Sequence, residues 1–241
     1  MTRPARAIID PQAARHNLAR VKRLVPHARV LAVVKADAYG HGIARMARIL
    51  AAADAFAVAS LEEAVELKDS GVTQPVVLLE GPFDAAELST IVELGLEVVV
   101  HTEEQVAMLV AARCRLPVWL KLDSGMHRLG FSPERFPQAL AALRGCAAPL
   151  RFMTHFANAH RRDDPSIQRQ LAVFEQTIGA LPGERSVANS GAIAGLSGRQ
   201  GDWVRPGLML YGVSPLDGET AASLDLRPVM TLRSRLIAVR R

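Results

Sequence analysis

The chain has 241 residues, of which 49% are hydrophobic and 22% charged, values typical of a globular protein that can form one large barrel domain. Because no run of 18 uncharged apolar residues occurs and the N-terminal apolar stretch is too short for a signal peptide, we expect a cytoplasmic protein with no membrane partner. The net charge of +5 arises in residues 226–241, which hold five arginines and no acid, so nucleic acid is not expected as a partner.

Short β-branched segments alternate with helical segments along most of the chain. The candidate strands are residues 30–34, 56–60, 76–80, 97–101, 118–123, 151–155, 186–189 and 208–211. The candidate helices are residues 11–24, 43–53, 61–69, 84–94, 102–112, 133–143 and 165–181. This alternation is typical of βαβ units, and eight strands predict an α/β fold that closes into a (β/α)8 TIM barrel.

The two ends of the chain do not fit the barrel. Residues 5–10 are predicted as a strand, and residues 229–241 alternate partly between apolar and polar side chains. We therefore divide the chain into a strand of a β module (1–10), a barrel (11–225) and the start of a second β domain (226–241) that the chain enters without completing. Cys114 and Cys146 lack metal-ligand spacing, so no metal site is expected.

Residues 33–42 (VVKADAYGHG) are the most informative segment. Lys35 ends an apolar, β-branched strand, and a turn rich in glycine follows it. A lysine that leaves a buried strand lies where its environment can turn the amine into a nucleophile or base. Alone, it would more often be a surface lysine before an ordinary loop.

Other chemically distinctive residues follow later strands, where the catalytic loops of a barrel gather. They are Lys121, Asp123 and Arg128 after the fifth strand, His155 at the end of the sixth, Asn189 and Ser190 after the seventh, and Arg205 and Gly207 at the eighth. The small residues at the last two strand ends are suited to a phosphate site.

Each of these residues also has a purely structural interpretation. Lys121 can pair with Asp123 or another acid, and His155 can be a satisfied core histidine. Ser190 can be only a helix N-cap, and Arg205 can be a surface charge. Their common position at one end of a barrel favours the functional interpretation.

Several polar residues are given structural roles only. His41 and His127 are interpreted as loop residues, and Asp54, Glu62 and Glu63 as a solvated helix face. A Ser-x-x-Glu capping box formed by Ser60 and Glu63 is predicted at the start of the helix over 61–69.

These segments resemble the alanine racemase family, fold-type III enzymes that use pyridoxal 5'-phosphate. The matching segments are 33–42, 121–130 (KLDSGMHRLG), 155–157 (HFA), 189–190 (NS), 204–207 (VRPG) and 210–212 (LYG), and residues 226–231 resemble the entry into the family's C-terminal β domain. The resemblance implies interconversion of L-alanine and D-alanine, which supplies D-alanine for peptidoglycan, by two-base proton transfer on the cofactor-bound substrate.

The resemblance also implies a role for each matching residue. Lys35 would form the Schiff base with pyridoxal phosphate and act as one acid/base group. The phosphate would be held by Tyr39, Ser190, Gly207 and Leu208. Asn189 would lie among the cofactor-binding residues.

At the cofactor ring, Arg205 would donate to the pyridine nitrogen and His155 would orient Arg205. Arg128 would lie by the phenolic oxygen as a catalytic residue. Lys121 would be carbamylated and would position Arg128. Because arginine stays protonated, the ring nitrogen would remain a weak electron sink, which suits simple proton exchange.

In this family the second acid/base group is a tyrosine from the C-terminal domain of the partner subunit in a homodimer. The chain has two tyrosines, Tyr39 and Tyr211, and both fall in barrel motifs. We therefore expect impaired racemase activity from this chain alone. The alternatives are a non-catalytic pyridoxal-phosphate-binding protein, a fold-type III decarboxylase or broader amino-acid racemase, and a subunit that pairs with a longer racemase.

Overall fold

The computed structural model describes residues 4–196, 198 and 200–240, and most of them belong to one closed barrel of eight parallel strands. After an isolated strand β1 (Arg6–Ile9), the barrel strands are β2 (Arg29–Val33), β3 (Ala55–Val58), β4 (Val76–Leu78), β5 (Glu97–Val100), β6 (Leu116–Lys121), β7 (Ala147–Met153), β8 (Arg185–Asn189) and β9 (Trp203–Arg205). β9 pairs back with β2, with Arg29 opposite Trp203, and so closes the sheet. The predicted (β/α)8 TIM barrel is confirmed.

Helical segments between the strands pack with them into a continuous hydrophobic core. They are α1 (Pro11–Leu24), α2 (Lys35–Gly40), α3 (Ile43–Ile49), α4 (Leu61–Asp69), α5 (Leu88–Glu93), α6 (Glu103–Ala112), α7 (Phe136–Leu143), α8 (Pro165–Ile178) and α9 (Ser190–Gly195), with 3-10 turns at Ala85–Glu87, Leu208–Tyr211 and Ala222–Leu224. α1 begins where its sequence predicts, because Asp10 accepts hydrogen bonds from the N–H groups of Gln12 and Ala13, and Pro11 suits the first helical position.

The prediction of the eighth strand over 208–211 is wrong. These residues form a 3-10 turn, and the eighth barrel strand is Trp203–Arg205. Pro206 has no N–H to donate to the strand ladder, and β9 ends at the residue before it. A four-residue apolar run fits a strand and a buried helical turn equally well. Gly207 and Leu208 consequently lie beyond the end of β9, at the mouth of the barrel.

A network of aromatic and charged side chains fills the N-terminal end of the barrel. The rings of Trp119 and Trp203 meet edge to face, with centroids 6.0 Å apart. The carboxylate of Glu97 accepts hydrogen bonds from Trp119 Nε1 at 2.7 Å and from Arg151 Nη1 at 2.9 Å. This packing closes one end of the barrel.

The first and the last strand of the described residues meet outside the barrel. β1 pairs antiparallel with β10 (Met230–Arg233), with Arg6 opposite Arg233, in a separate two-stranded sheet. Of the predicted strand over 229–241, residue 241 lies outside the described residues, and among residues 229–240 the regular strand is confined to β10. The division of the chain at residues 10 and 225 into a barrel and a β module stays a prediction.

Within the described part of the chain, no helix is both long and apolar enough to cross a membrane. The same residues hold no group of three or more histidine, cysteine, aspartate or glutamate side chains placed to bind a metal. Cys114 and Cys146 are free thiols, and Cys146 is buried.

Candidate functional site

A cavity of about 510 Å³ lies at the C-terminal end of the barrel strands. Its lining includes every residue to which the resemblance assigns a role: Lys35, Tyr39, Lys121, Arg128, His155, Asn189, Ser190, Arg205, Gly207 and Leu208. They follow or end β2, β6, β7, β8 and β9, at the face where barrels of this kind assemble active sites. The structure therefore brings the predicted site residues together, while the role of each stays a prediction.

Lys35 leaves β2 through a left-handed turn built from residues other than glycine. The four residues 36–39, which directly precede Gly40, all have φ between 51° and 54°. Such a conformation costs about 1–2 kcal/mol for each residue with a side chain, so neighbouring groups must hold it. Asp37 holds one side, because its Oδ1 accepts the N–H of Ile43 at 2.7 Å. The sequence predicts a special turn after Lys35 but attributes it to the glycines.

Glu63 holds the other side of this turn. Its Oε1 accepts the N–H of Ala36 at 2.5 Å, and its Oε2 accepts the N–H of Ala59 at 2.8 Å. The interpretation of Glu63 as part of a solvated helix face is therefore wrong. The predicted capping box is also wrong, because Ser60 is the N-cap of α4 but its side chain makes no capping hydrogen bond to the helix backbone.

Ser190, Gly207 and Tyr39 form a polar cradle at one side of the cavity. Ser190 Oγ accepts the N–H of Gly207 at 2.9 Å and that of Met209 at 3.5 Å. The hydroxyl of Tyr39 lies so close to Gly207 that a Cβ there would be 2.5 Å from it. Glycine at this position therefore keeps the backbone open beside two hydroxyl groups.

Asn189 joins α9 to His155. Its Oδ1 accepts the N–H of Ala192 at 3.1 Å, and its Nδ2 lies 3.2 Å from His155 Nε2. Asn189 is thus the N-cap of α9, and the interpretation of Ser190 as that cap is wrong. Burial and the surrounding cations, Arg205 first, lower the pKa of His155 to about 2. The imidazole is therefore neutral at ordinary pH.

Arg205 is buried, and three polar groups fix its guanidinium. Nη1 donates to Ser186 Oγ at 2.5 Å, and Nη2 donates to the carbonyl of Thr154 at 2.5 Å and lies 3.4 Å from His155 Nδ1. Burial lowers the pKa of Arg205 to about 9, which still leaves it charged at neutral pH. The interpretation as a surface charge is wrong. Sequence reasoning missed Ser186 and Thr154, since one hydroxyl or carbonyl in a strand has no distinctive pattern.

Lys121 ends β6 with only 7% of its surface exposed. Burial, followed by the charges of Arg205 and Arg128, lowers the pKa of Lys121 to about 8 against the opposing effect of Asp123 and Glu80. A larger share of this amine is neutral near pH 7 than for an exposed lysine. Asp123 uses its Oδ1 to accept the backbone N–H groups of residues 125–127 rather than to pair with Lys121.

The cavity is strongly cationic. Lys35, Lys121, Arg128 and Arg205 line it, and Glu80 is the one acidic side chain among its described lining residues. Glu80 lies just beyond β4 and was not singled out from the sequence, although its place at a strand end was a usable signal. This charge distribution favours an anionic ligand.

Tyr211 lies next to the cavity with its hydroxyl already engaged. Its Oη donates to the carbonyl of Val33 at 3.1 Å. The centroid of its ring lies 4.7 Å from the ring centroid of Tyr39 and 4.6 Å from that of His41. Burial raises the pKa of Tyr211 well above its ordinary value. Tyr211 therefore packs and anchors the end of β2 as a neutral phenol.

Three further polar residues that the sequence predicts to be structural differ in their surroundings. Glu62 and His127 are exposed, as their interpretation requires. Asp54 is different, because its carboxylate accepts the N–H of Val30 at 2.8 Å and pairs with Lys22 at 3.2 Å. The interpretation of Asp54 as part of a solvated helix face is wrong, since it ties the start of β2 to α1.

Known proteins resemble this chain along its whole length. Residues 9–215 match the family model described as alanine racemase, N-terminal domain. The alanine racemase of Shewanella woodyi is 48% identical over 240 residues, which cover 98% of this chain and 67% of that protein. The one from Chromohalobacter salexigens is 51% identical over 246 residues, covering 100% of this chain and 68% of that protein.

Solved structures give the same result. The biosynthetic alanine racemase from Pseudomonas aeruginosa superimposes with a TM-score of 0.92 at 43% identity, over 96% of this chain and 66% of that one. The alanine racemase from Acinetobacter baumannii superimposes with a TM-score of 0.92 at 38% identity, over 98% of this chain and 68% of that one. The chain thus spans about two thirds of the length of these relatives.

Proposed function

Because this chain belongs to the alanine racemase family, we propose that its barrel binds pyridoxal 5'-phosphate and takes part in the racemisation of alanine. One observation carries the proposal. A single cationic cavity presents the amine of Lys35, the buried guanidinium of Arg205 and a cradle formed by Ser190, Gly207 and Tyr39. This cofactor requires three elements: a lysine, a polar partner for its pyridine nitrogen, and a phosphate site.

The cradle fits a phosphate group. Backbone N–H groups and hydroxyls are good phosphate ligands, and here Ser190, Tyr39, Gly207 and Leu208 line the same cavity, with the N–H of Gly207 donating to Ser190 Oγ. A side chain at position 207 would meet the hydroxyl of Tyr39, which explains why glycine stands there. Asn189 supports the cradle by capping α9.

Arg205 fits the pyridine nitrogen of the cofactor. When bound, the cofactor supplies an electron sink for the charge that develops at the substrate α-carbon. Arg205 donates hydrogen bonds and keeps its own proton, so it would leave the ring nitrogen unprotonated and the sink weak. His155 is neutral and lies within 3.4 Å of Arg205, where it helps to set the direction of the guanidinium without adding a charge.

Lys35 would hold the cofactor covalently and then move a proton on one face of the substrate α-carbon. The turn that follows Lys35 is held by two carboxylates, since Glu63 accepts the N–H of Ala36 and Asp37 accepts the N–H of Ile43. A fixed backbone limits the positions that the amine of Lys35 can reach, and proton transfer depends on such positioning.

Arg128 and Lys121 would act together at another part of the cofactor. Arg128 would lie by the phenolic oxygen, and a carbamate on Lys121 would position it. The depressed pKa of Lys121, about 8, supports this proposal because only a neutral amine can add carbon dioxide. A carbamate would also replace one of four neighbouring cations with an anion.

The second face of the substrate needs a second acid/base group. Tyr211 donates to Val33 and Tyr39 is part of the cradle, so neither is placed for that role. We propose that a tyrosine from a partner subunit of a homodimer supplies it, and that this chain alone exchanges the α-proton from one face only.

Reductive trapping tests cofactor binding. We expect borohydride treatment of the protein with pyridoxal phosphate to label Lys35, and a Lys35→Arg variant to lose the label. A Lys68→Arg variant is the matched control, because Lys68 lies outside the cavity. Labelling at any residue other than Lys35 would contradict the proposal.

Exchange of the alanine α-proton with solvent deuterium separates an enzyme from a non-catalytic cofactor-binding protein. We expect exchange that requires Lys35 and that differs between the two enantiomers. Cofactor binding without any exchange would support the non-catalytic alternative. Equal exchange of both enantiomers by this chain alone would refute the one-face proposal.

A further inference from the structure

The exits of two neighbouring barrel strands are joined by one carboxylate. β2 and β3 are paired, with Val33 opposite Ala57, and the chain leaves them through Lys35 and Ala59 respectively. Glu63, in the first turn of α4, reaches both exits: one of its oxygens accepts the N–H of Ala36 and the other accepts the N–H of Ala59.

Glu63 is the third residue of α4, a position from which glutamate commonly bonds back to the start of its own helix. Here it instead bonds to the residue after Lys35. The N–H of Ala36 is the first of the left-handed turn, whose four residues adopt a conformation unfavourable to L-amino acids. A carboxylate is the side chain suited to this place, because it offers two acceptors and no donor.

We propose that Glu63 is the positioning residue for Lys35, fixing the direction in which this lysine enters the cavity. The proposal rests on the proposed function, in which Lys35 carries the cofactor. Glu63 itself is not among the described residues that line the cavity. Its effect on chemistry must therefore pass through the backbone of Ala36 to Lys35.

Glu63→Gln is the informative variant, because an amide keeps the size of the side chain but directs an N–H group at one of the two backbone N–H groups. The matched control is Glu62→Gln, which changes the adjacent, exposed glutamate. The first measurement is amide hydrogen exchange of Ala36 and Ala59 in the protein without cofactor. The second is the rate at which added pyridoxal phosphate forms the borohydride-reducible bond at Lys35.

In Glu63→Gln we expect exchange at Ala36 or Ala59 to rise by about tenfold or more, as the loss of one charged hydrogen bond implies. We also expect slower bond formation at Lys35 and, in the loaded protein, a lower kcat for exchange of the alanine α-proton with solvent, with little change in KM. Glu62→Gln should resemble the wild type in every measurement. Glu63→Asp, which keeps the charge, should recover part of the loss.

Unchanged amide exchange in Glu63→Gln would overturn the proposal. Faster exchange with wild-type bond formation at Lys35 would also overturn it, since Glu63 would then be purely structural. A wild-type protein that forms no reducible bond at Lys35 would refute the proposed function instead, while exchange at Ala36 would still decide whether Glu63 fixes the turn.

Discussion

The guanidinium of Arg205 donates to the hydroxyl of Ser186, and both groups are buried inside the barrel. The same hydroxyl donates to the carbonyl of Trp203 at 2.9 Å, so the serine connects the start of β9 to the arginine at its end. A buried cation without such acceptors would be costly. The cavity therefore depends on polar groups that do not themselves line it.

Ser186→Ala should destabilise the protein by about 1–3 kcal/mol, because it removes a buried acceptor from a charged donor. Urea unfolding measures the change. Ser89→Ala is the control, since its exposed hydroxyl donates only to the carbonyl of Ala86, and its effect should be within about 0.5 kcal/mol. Equal stability of the two variants would show that Arg205 does not need Ser186.

The sequence predicts the barrel and the cationic residues of the cavity because both follow local patterns. Strands alternate with helices, and the strand ends carry the unusual residues, such as Lys35, Lys121 and Arg205. Barrel closure then brings these ends to one face. No contact between them has to be known in advance.

What the sequence does not predict depends on contacts across the fold. Glu63 fits an ordinary capping box by spacing, but in the structure its carboxylate accepts the N–H of Ala36, in the left-handed turn after Lys35. Ser186 is one polar residue in an apolar strand. The apolar residues 208–211 satisfy strand and turn patterns alike, and only Pro206 and the pairing of β9 decide between them.

Gly207→Ala should weaken binding of pyridoxal phosphate about 10- to 100-fold, because the new methyl group would meet the hydroxyl of Tyr39. Binding is measured by titration of cofactor absorbance. The loss should be smaller for pyridoxal, which has no phosphate. Gly145→Ala is the control, since nothing lies within 4 Å of a Cβ there.

A second substitution tests the cause of that loss. Tyr39→Phe removes the hydroxyl that the methyl group would meet, so Gly207→Ala should cost less in a Tyr39→Phe background than in the wild type. Additive losses would show that Gly207 is required for a reason other than its contact with Tyr39.

Lys121→Met should change how stability depends on alkaline pH. Burial lowers the pKa of Lys121 from 10.5 to about 8, so between these values the unfolded chain binds a proton that the folded protein does not. Wild-type stability should therefore rise from pH 8 to about 10.5, by up to about 3 kcal/mol relative to Lys121→Met. Urea unfolding in bicarbonate-free buffer measures this. If the free energies of unfolding of the two proteins differed by a constant amount across that pH range, the pKa of Lys121 would not be lowered by burial.

His155→Gln should change the acid side of the stability profile. Burial and nearby cations lower the pKa of His155 from 6.5 to about 2, so below pH 6.5 the unfolded chain takes up a proton that the folded protein excludes. As the pH decreases, this group alone should lower the free energy of unfolding of the wild type by about 1.4 kcal/mol per pH unit. His155→Gln should lack that contribution. The stability of the wild type relative to the variant should thus decrease steadily between pH 6 and about pH 4, measured by urea unfolding. Parallel profiles would mean that His155 takes up a proton in the folded protein as readily as in the unfolded chain, so that the imidazole beside Arg205 would become a cation below pH 6.5.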